Sequence, residues 1–259
     1  MIQATITQPA QGVWKITFGQ PEQFTPNAFR EREPKWEIIN QLPAGQNNHP
    51  APESIGCDIR SSRTVITIPC GSGENIYGFG LDPQAYRQNG LRKRLTVSAS
   101  TITKTGASHG PVPFYISSRG YGVYIDTARV PYVHVARLQE KNNAPGSSPI
   151  DDSSPADSEA ELYAARDAKG PASVVFDLPG NSSGVDVYLF TGPTLCEVVQ
   201  RYNLFSGGGC MPPVWGLGMK YRTYTKAVRR DVESAAREIR QLDIPCDMLG
   251  LEPGWQTQA

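Results

Sequence analysis

Through its first two thirds the chain sets short apolar runs between polar breaks rich in Gly and Pro. Segments 13–18, 64–68, 130–136, 173–178 and 185–190 are dominated by β-branched and aromatic residues, the composition of strands. Segments 113–117 and 121–126 are of the same kind and flank Ser118-Arg119-Gly120, a spacing that predicts a tight hairpin. Many short strands with little helical periodicity predict a β-sandwich. Segment 140–171 breaks the pattern. It is rich in Ser, Pro, Asp and Ala, poor in large apolar residues, and reads as a mobile loop inside the sandwich.

The periodicity changes after Gly192. Leu195, Val198, Val199 and Tyr202 recur at helical spacing behind Pro193-Thr194, which suits a helix start. The run 214–219 is apolar and of strand length. Segment 227–242 predicts an amphipathic helix with Val228, Val232, Ala235, Ala236, Ile239 and Leu242 facing inward. Segment 247–251 is a second apolar strand. Strand, helix and strand with non-alternating apolar strands describe a βαβ unit of a parallel sheet. A closed barrel of such units needs eight strands. The expected organisation is therefore a sandwich over residues 1–191, then a linking helix and the opening of a (β/α)8 barrel over 192–259 that continues beyond the chain.

Charge and composition narrow the function classes. Lys plus Arg and Asp plus Glu both number 25, and this balance argues against nucleic acid as a partner. No apolar run is long enough for a membrane-spanning helix, and the first residues lack a basic-then-apolar leader, so a cytoplasmic protein is expected. The five cysteines form no CxxC pair and the three histidines are isolated. Free, mostly buried thiols and no metal site are the expectation.

Candidate chemistry gathers at the predicted ends of the two late strands. Tyr221 and Arg222 follow the first, and Glu252 and Trp255 follow the second. A carboxylate there can accept hydrogen bonds from sugar hydroxyls, and an indole can pack on the apolar face of a pyranose. The structural alternative pairs Glu252 with Arg222 and puts Trp255 in the core. His109, in a Gly/Pro loop, is a weaker candidate. Arg92-Lys93-Arg94 reads as a solvated basic cluster. Gly78 and Gly80 do not open a helix, so no phosphate loop is expected, and no serine lies in a nucleophile elbow.

Five stretches together resemble glycoside hydrolase family 31: Asn75-Ile76-Tyr77-Gly78-Phe79-Gly80, Pro113-Phe114-Tyr115-Ile116-Ser117-Ser118-Arg119-Gly120-Tyr121-Gly122-Val123, Val187-Tyr188-Leu189-Phe190-Thr191-Gly192-Pro193-Thr194, Pro212-Pro213-Val214-Trp215-Gly216-Leu217-Gly218 and Asp243-Ile244-Pro245-Cys246-Asp247. They occur in the family's order. The resemblance implies a galactose-mutarotase-like sandwich before a (β/α)8 barrel, and a retaining α-glycosidase without metal or organic cofactor. Its catalytic aspartates lie on later barrel strands, outside these residues, so the chain alone is expected to be inactive. The implied ligand is an α-linked oligosaccharide or glycoside, with Glu252, Trp255, Tyr221, Arg222 and His109 as the residues to meet it. Glu252 stands where many members carry an aspartate, and segment 91–98 lacks their Trp-Asn-x-Asp. An α-galactoside or N-acetylated α-hexosaminide is thus as plausible as an α-glucoside. The rival reading is a non-catalytic carbohydrate-binding or scaffold module. Unpartnered barrel strands also predict self-association.

Overall fold

The computed structural model describes residues 2–29, 33–45, 48–82, 85–98, 107–138 and 172–252. The loop expected over 140–171 lies outside them. Two compact units are present, Met1–Gly208 and Gly209–Ala259.

The first unit is built on two antiparallel sheets. The six-stranded sheet runs in the order β1 (Ala4–Ala10), β2 (Val13–Gly19), β11 (Gly184–Thr191), β8 (Tyr121–Asp126), β7 (Pro111–Ser117) and β5 (Ile76–Gly80). The five-stranded sheet has the order β3 (Gly56–Arg60), β4 (Arg63–Cys70), β10 (Ala172–Pro179), β9 (Tyr132–Leu138) and β6 (Arg92–Arg94). Ile16, Phe18, Val123, Ile125, Val187 and Leu189 from the first sheet share one core with Ile66, Ile68, Val133, Val135, Val174 and Phe176 from the second. The predicted hairpin forms: Ser117 pairs with Tyr121, the Gly120 amide donates to the Ser117 carbonyl at 3.0 Å, and Gly120 takes a φ of 85° open to glycine.

Strands β8 and β11 are buried at every residue, because the six-stranded sheet is covered on both faces. On its outer face lie α1 (Trp36–Gln41) and α2 (Leu195–Phe205), where Ile39, Val198 and Phe205 pack with Val13, Tyr124, Tyr188 and Phe190. A sheet covered twice needs apolar residues without alternation, which explains the continuous runs in these strands. Thr194 caps α2 by accepting from the Cys196 amide at 3.2 Å.

The inward face of α2 differs from expectation. Val199 is 44% exposed, whereas Arg201 is fully buried. The helix turns Val198, Arg201 and Phe205 to the sheet. Arg201 is accommodated because it donates to the carbonyls of Gln11 (3.3 Å), Leu42 (3.2 Å) and Pro43 (2.7 Å). Segment 92–94 is likewise no solvated cluster. It forms edge strand β6, and Lys93 is buried at 3% exposure, paired with Asp82 and donating to Gln88 Oε1 at 2.6 Å. The partners that make this burial tolerable lie 5 and 11 residues earlier, so local composition does not disclose them.

In the second unit β12 (Lys220–Arg222) and β13 (Met248–Gly250) pair in parallel, joined through α3 (Arg229–Gln241). The run 214–219 is not a strand. Val214–Leu217 forms a 3-10 turn, with the Gly216 amide donating to Pro213 at 2.8 Å and that of Gly218 to Trp215 at 3.3 Å. Pro212-Pro213 ahead of it, Gly216 within it and Gly218 just after it favour a turn over a ladder. The strand therefore begins at Lys220. The apolar face expected for α3 is only half-covered at Val232, Ala235, Ala236 and Ile239, and Val228 and Leu242 are exposed; no residue of α3 is buried. Among the cysteines, only Cys57 is buried while Cys196 and Cys210 are exposed; all five are free thiols.

Candidate functional site

The parallel register pairs Lys220 with Met248, Tyr221 with Leu249 and Arg222 with Gly250, so both strands end at the same edge of the small sheet. Thr223, 5% exposed, continues the ladder by donating its amide to the Gly250 carbonyl at 3.0 Å. Two residues past that carbonyl comes Glu252, and its carboxylate pairs with the Arg222 guanidinium. The side chain of Glu252 is 23% exposed and that of Arg222 63% exposed. A pair this open contributes no more than about 1 kcal/mol to stability. What it does is orient: a carboxylate and a fork of N–H donors are presented side by side at one strand-end edge. Such a pair can accept from and donate to neighbouring hydroxyls of a polyol.

Of the residues singled out from the sequence, the structure brings Arg222 and Glu252 together, which is the pairing alternative. Arg222 and Tyr221 lie in β12, not beyond it. Successive strand residues face opposite sides, so Tyr221 lies on the other face of the sheet from Arg222. His109 is exposed in a bend of the first unit, next to Ser108, which bridges to Val97. Trp255 lies outside the described residues.

A polar element follows β12. Tyr224 OH donates to Asp231 Oδ2 at 2.6 Å, and the Val228 amide donates to the same oxygen at 3.0 Å. The hydrogen bond from Tyr224 comes first among the causes that hold the Asp231 carboxyl below its ordinary range, and it pushes the Tyr224 phenol up. Asp231 thereby caps α3 and fixes the loop after β12.

Sequence reasoning missed a second polar cluster, around Glu74 in the sandwich. Glu74 is 6% exposed, and its carboxylate accepts from the Gly71 amide (2.6 Å), Ser117 Oγ (2.5 Å) and Tyr121 OH, with Arg119 Nε at 3.6 Å. Burial, followed by the charge of Glu74, pushes the Tyr121 phenol strongly up, so it stays a donor. A Ser just before the hairpin turn and an Arg within it were the only signal, and their common partner lies more than 40 residues earlier.

The profile of the glycosyl hydrolase 31 N-terminal galactose mutarotase-like domain matches residues 3–132. The α-xylosidase XylQ of Lactiplantibacillus pentosus is 27% identical over 226 residues, covering 86% of this chain and 25% of that protein. α-Glucosidase 2 of Bacillus thermoamyloliquefaciens is 32% identical over 68 residues, 26% of this chain and 9% of its own. The chain thus spans a quarter or less of these curated relatives' length. Among solved structures, the Flavobacterium johnsoniae GH31 dextranase complexed with glucose superposes with a TM-score of 0.65 at 15% identity, covering 97% of this chain and 31% of that one. The cycloalternan-degrading enzyme of Trueperella pyogenes in complex with isomaltose gives 0.55 at 14% identity, over 94% of this chain and 33% of its own. At such identities the likeness is one of fold.

Proposed function

The chain belongs to glycoside hydrolase family 31, as its galactose-mutarotase-like N-terminal domain, and we propose that it is the N-terminal part of a retaining α-glycosidase. On this reading residues 1–191 are the sandwich. Residues 192–259 are the linking helix and the opening of a (β/α)8 barrel, with β12 and β13 as its first two strands. The observation that carries the reading is the parallel pairing of β12 with β13 across α3, with Arg222 and Glu252 at their C-terminal ends. Barrel enzymes collect their chemistry at that end of the strands.

Glu252 and Arg222 then form part of a sugar-binding rim. Glu252 accepts from a hydroxyl of the terminal sugar, and its pairing with Arg222 keeps the carboxylate aimed. The nucleophile and the acid/base are carboxyls outside these residues. In a retaining mechanism they stand about 5–5.5 Å apart, one attacking the anomeric carbon while the other protonates the leaving oxygen. The substrate class is an α-linked glycoside: an α-glucoside, α-galactoside or N-acetylated α-hexosaminide. The sugar-bound relatives in the GH31 fold support a saccharide ligand.

The test is a panel of nitrophenyl α-glycosides given both to the 259-residue chain and to the protein from its continuous gene. The longer protein is expected to release nitrophenol with retention of configuration, and the short chain to release none. Turnover by the short chain, or none by the longer one on any α-glycoside, overturns the proposal. In the active protein Glu252→Gln is expected to raise KM, and to lower kcat/KM by about ten- to a hundredfold, the loss for one charge-assisted hydrogen bond.

A further inference from the structure

At the Glu74 cluster the sandwich surface opens into a cavity of about 240 Å³, whose lining includes His49, Pro50, Pro69, Cys70, Glu74 and Arg119. We propose that this cavity binds a small molecule carrying a carboxylate or phosphate group, with Arg119 as its anchor. The proposal does not rest on the glycosidase reading, since every residue involved belongs to the first unit.

Three features carry it. First, Arg119 is pre-positioned. Its guanidinium lies flat over Gly71, where a Cβ would come within 2.1 Å of Cζ. Glu74 holds Nε at 3.6 Å, and Nη2 reaches the Ser72 carbonyl at 3.5 Å. A guanidinium carries five N–H donors, and among the described residues these are its hydrogen-bonding and ionic partners, so donors remain for an acceptor in the cavity. Arg119 is 45% exposed and reachable. Second, Glu74 is already occupied. Its carboxylate accepts from Gly71, Ser117 and Tyr121 as well as facing Arg119, so it offers a ligand little but balances the buried side of the guanidinium. A planar fork with its back held and its front open matches the geometry of an oxyanion.

Third, the rest of the lining does not repel an anion. The Cys70 thiol is pushed up to about 12, first by burial and then by the charge of Glu74, so it stays neutral. His49 packs against Trp14 with ring centroids 4.7 Å apart and planes tilted by 42°, and its Nδ1 lies 2.8 Å from the Pro50 carbonyl, to which it must donate. In that tautomer the other ring nitrogen is an acceptor, suited to a hydroxyl of the ligand beside its anionic group. Pro50 and Pro69 supply apolar wall. The volume falls below the roughly 300–1,000 Å³ of pockets for drug-sized ligands, which limits the occupant to about one monosaccharide.

Isothermal titration of the whole chain with glucuronate, glucose 6-phosphate, inorganic phosphate and glucose tests the assignment. At least one anion is expected to bind at least about tenfold more tightly than glucose, the contribution of one charge-assisted pair. Glucuronate alone would name a carboxylate ligand, and the phosphates alone a phosphorylated one. Arg119→Lys, which loses the fork, and Asn48→Asp, which adds a negative charge on an exposed lining residue without touching the core, should each weaken that binding about tenfold. Absence of anion binding at millimolar concentration, equal binding of glucose, or full affinity in Asn48→Asp would overturn the proposal.

Discussion

Arg201 shows how much one side chain does in this fold. Fully buried on α2, it donates to three backbone carbonyls from two distant loops, at Gln11 and at Leu42 and Pro43. Burial lowers its pKa, and Glu197 opposes that shift. The guanidinium stays charged because the ordinary arginine pKa leaves a wide margin. Arg201→Met keeps most of the volume but leaves three carbonyls short of a donor. It is expected to cost about 2–4 kcal/mol, read as a lower urea midpoint with an unchanged m-value. Asp126 makes the converse case. It is 5% exposed and accepts from Thr25 Oγ1 (2.8 Å), the Asn27 amide (3.2 Å) and Tyr124 OH (3.2 Å). Burial still outweighs those hydrogen bonds and raises its pKa. The folded state therefore holds the proton to higher pH than the unfolded state. Stability from this group is greatest below the ordinary carboxylate range and declines as pH rises through the raised value. Melts between about pH 3 and pH 7 should show that decline flattened in Asp126→Asn.

At the scale of elements, β5 shows why a strand here is more than its composition. Its pairing with β7 shifts register between Gly78 and Gly80, and both glycines and Phe79 between them take positive φ. The bulge turns the Phe79 ring into the core, 5.5 Å from Tyr115 and 6.0 Å from Phe176. At Gly80 φ is 98°, and a Cβ would stand 1.9 Å from the Gly110 carbonyl oxygen. Backbone cannot yield as a side-chain tip can. Gly80→Ala is expected to cost about 3 kcal/mol or more, visible as a fall in Tm or loss of the folded protein. The same β5 stretch reads as merely Gly-rich in sequence. The strands buried on both faces were easier, because β8 and β11 owe their apolar runs to double coverage, which leaves its mark in every residue.

The two units differ as whole bodies. The first encloses its own core between the sheets and a second cluster under α1 and α2. Residues 1–208 alone are expected to fold with a cooperative melt, checked by calorimetry. The second unit is open among its described residues: Val214, Leu217, Tyr224, Val228, Leu242 and Leu251 are each at least 47% exposed. Apolar surface on that scale calls for a covering partner. The 259-residue chain is expected to bind a hydrophobic dye and to self-associate with rising concentration in sedimentation. Val228→Glu combined with Leu242→Glu should reduce both effects, and the 1–208 piece should show neither.

Local regularities reached far into this molecule. Apolar period and turn residues defined most sandwich strands, the hairpin at Gly120, the capped start of α2, and a late strand–helix–strand order, because each depends on neighbours a few residues away. The pairing of Glu252 with Arg222 was legible for the same reason, as the structural alternative for two charged residues near the ends of apolar runs. Two things were settled by contacts beyond the local pattern: the burial of Arg201 and Lys93, and the convergence of Ser117, Arg119 and Tyr121 on Glu74. The chain alone decided which residues want to be buried and with what period. Tertiary structure decided which charges could join them, since a buried charge is tolerated only where distant segments bring it donors and acceptors.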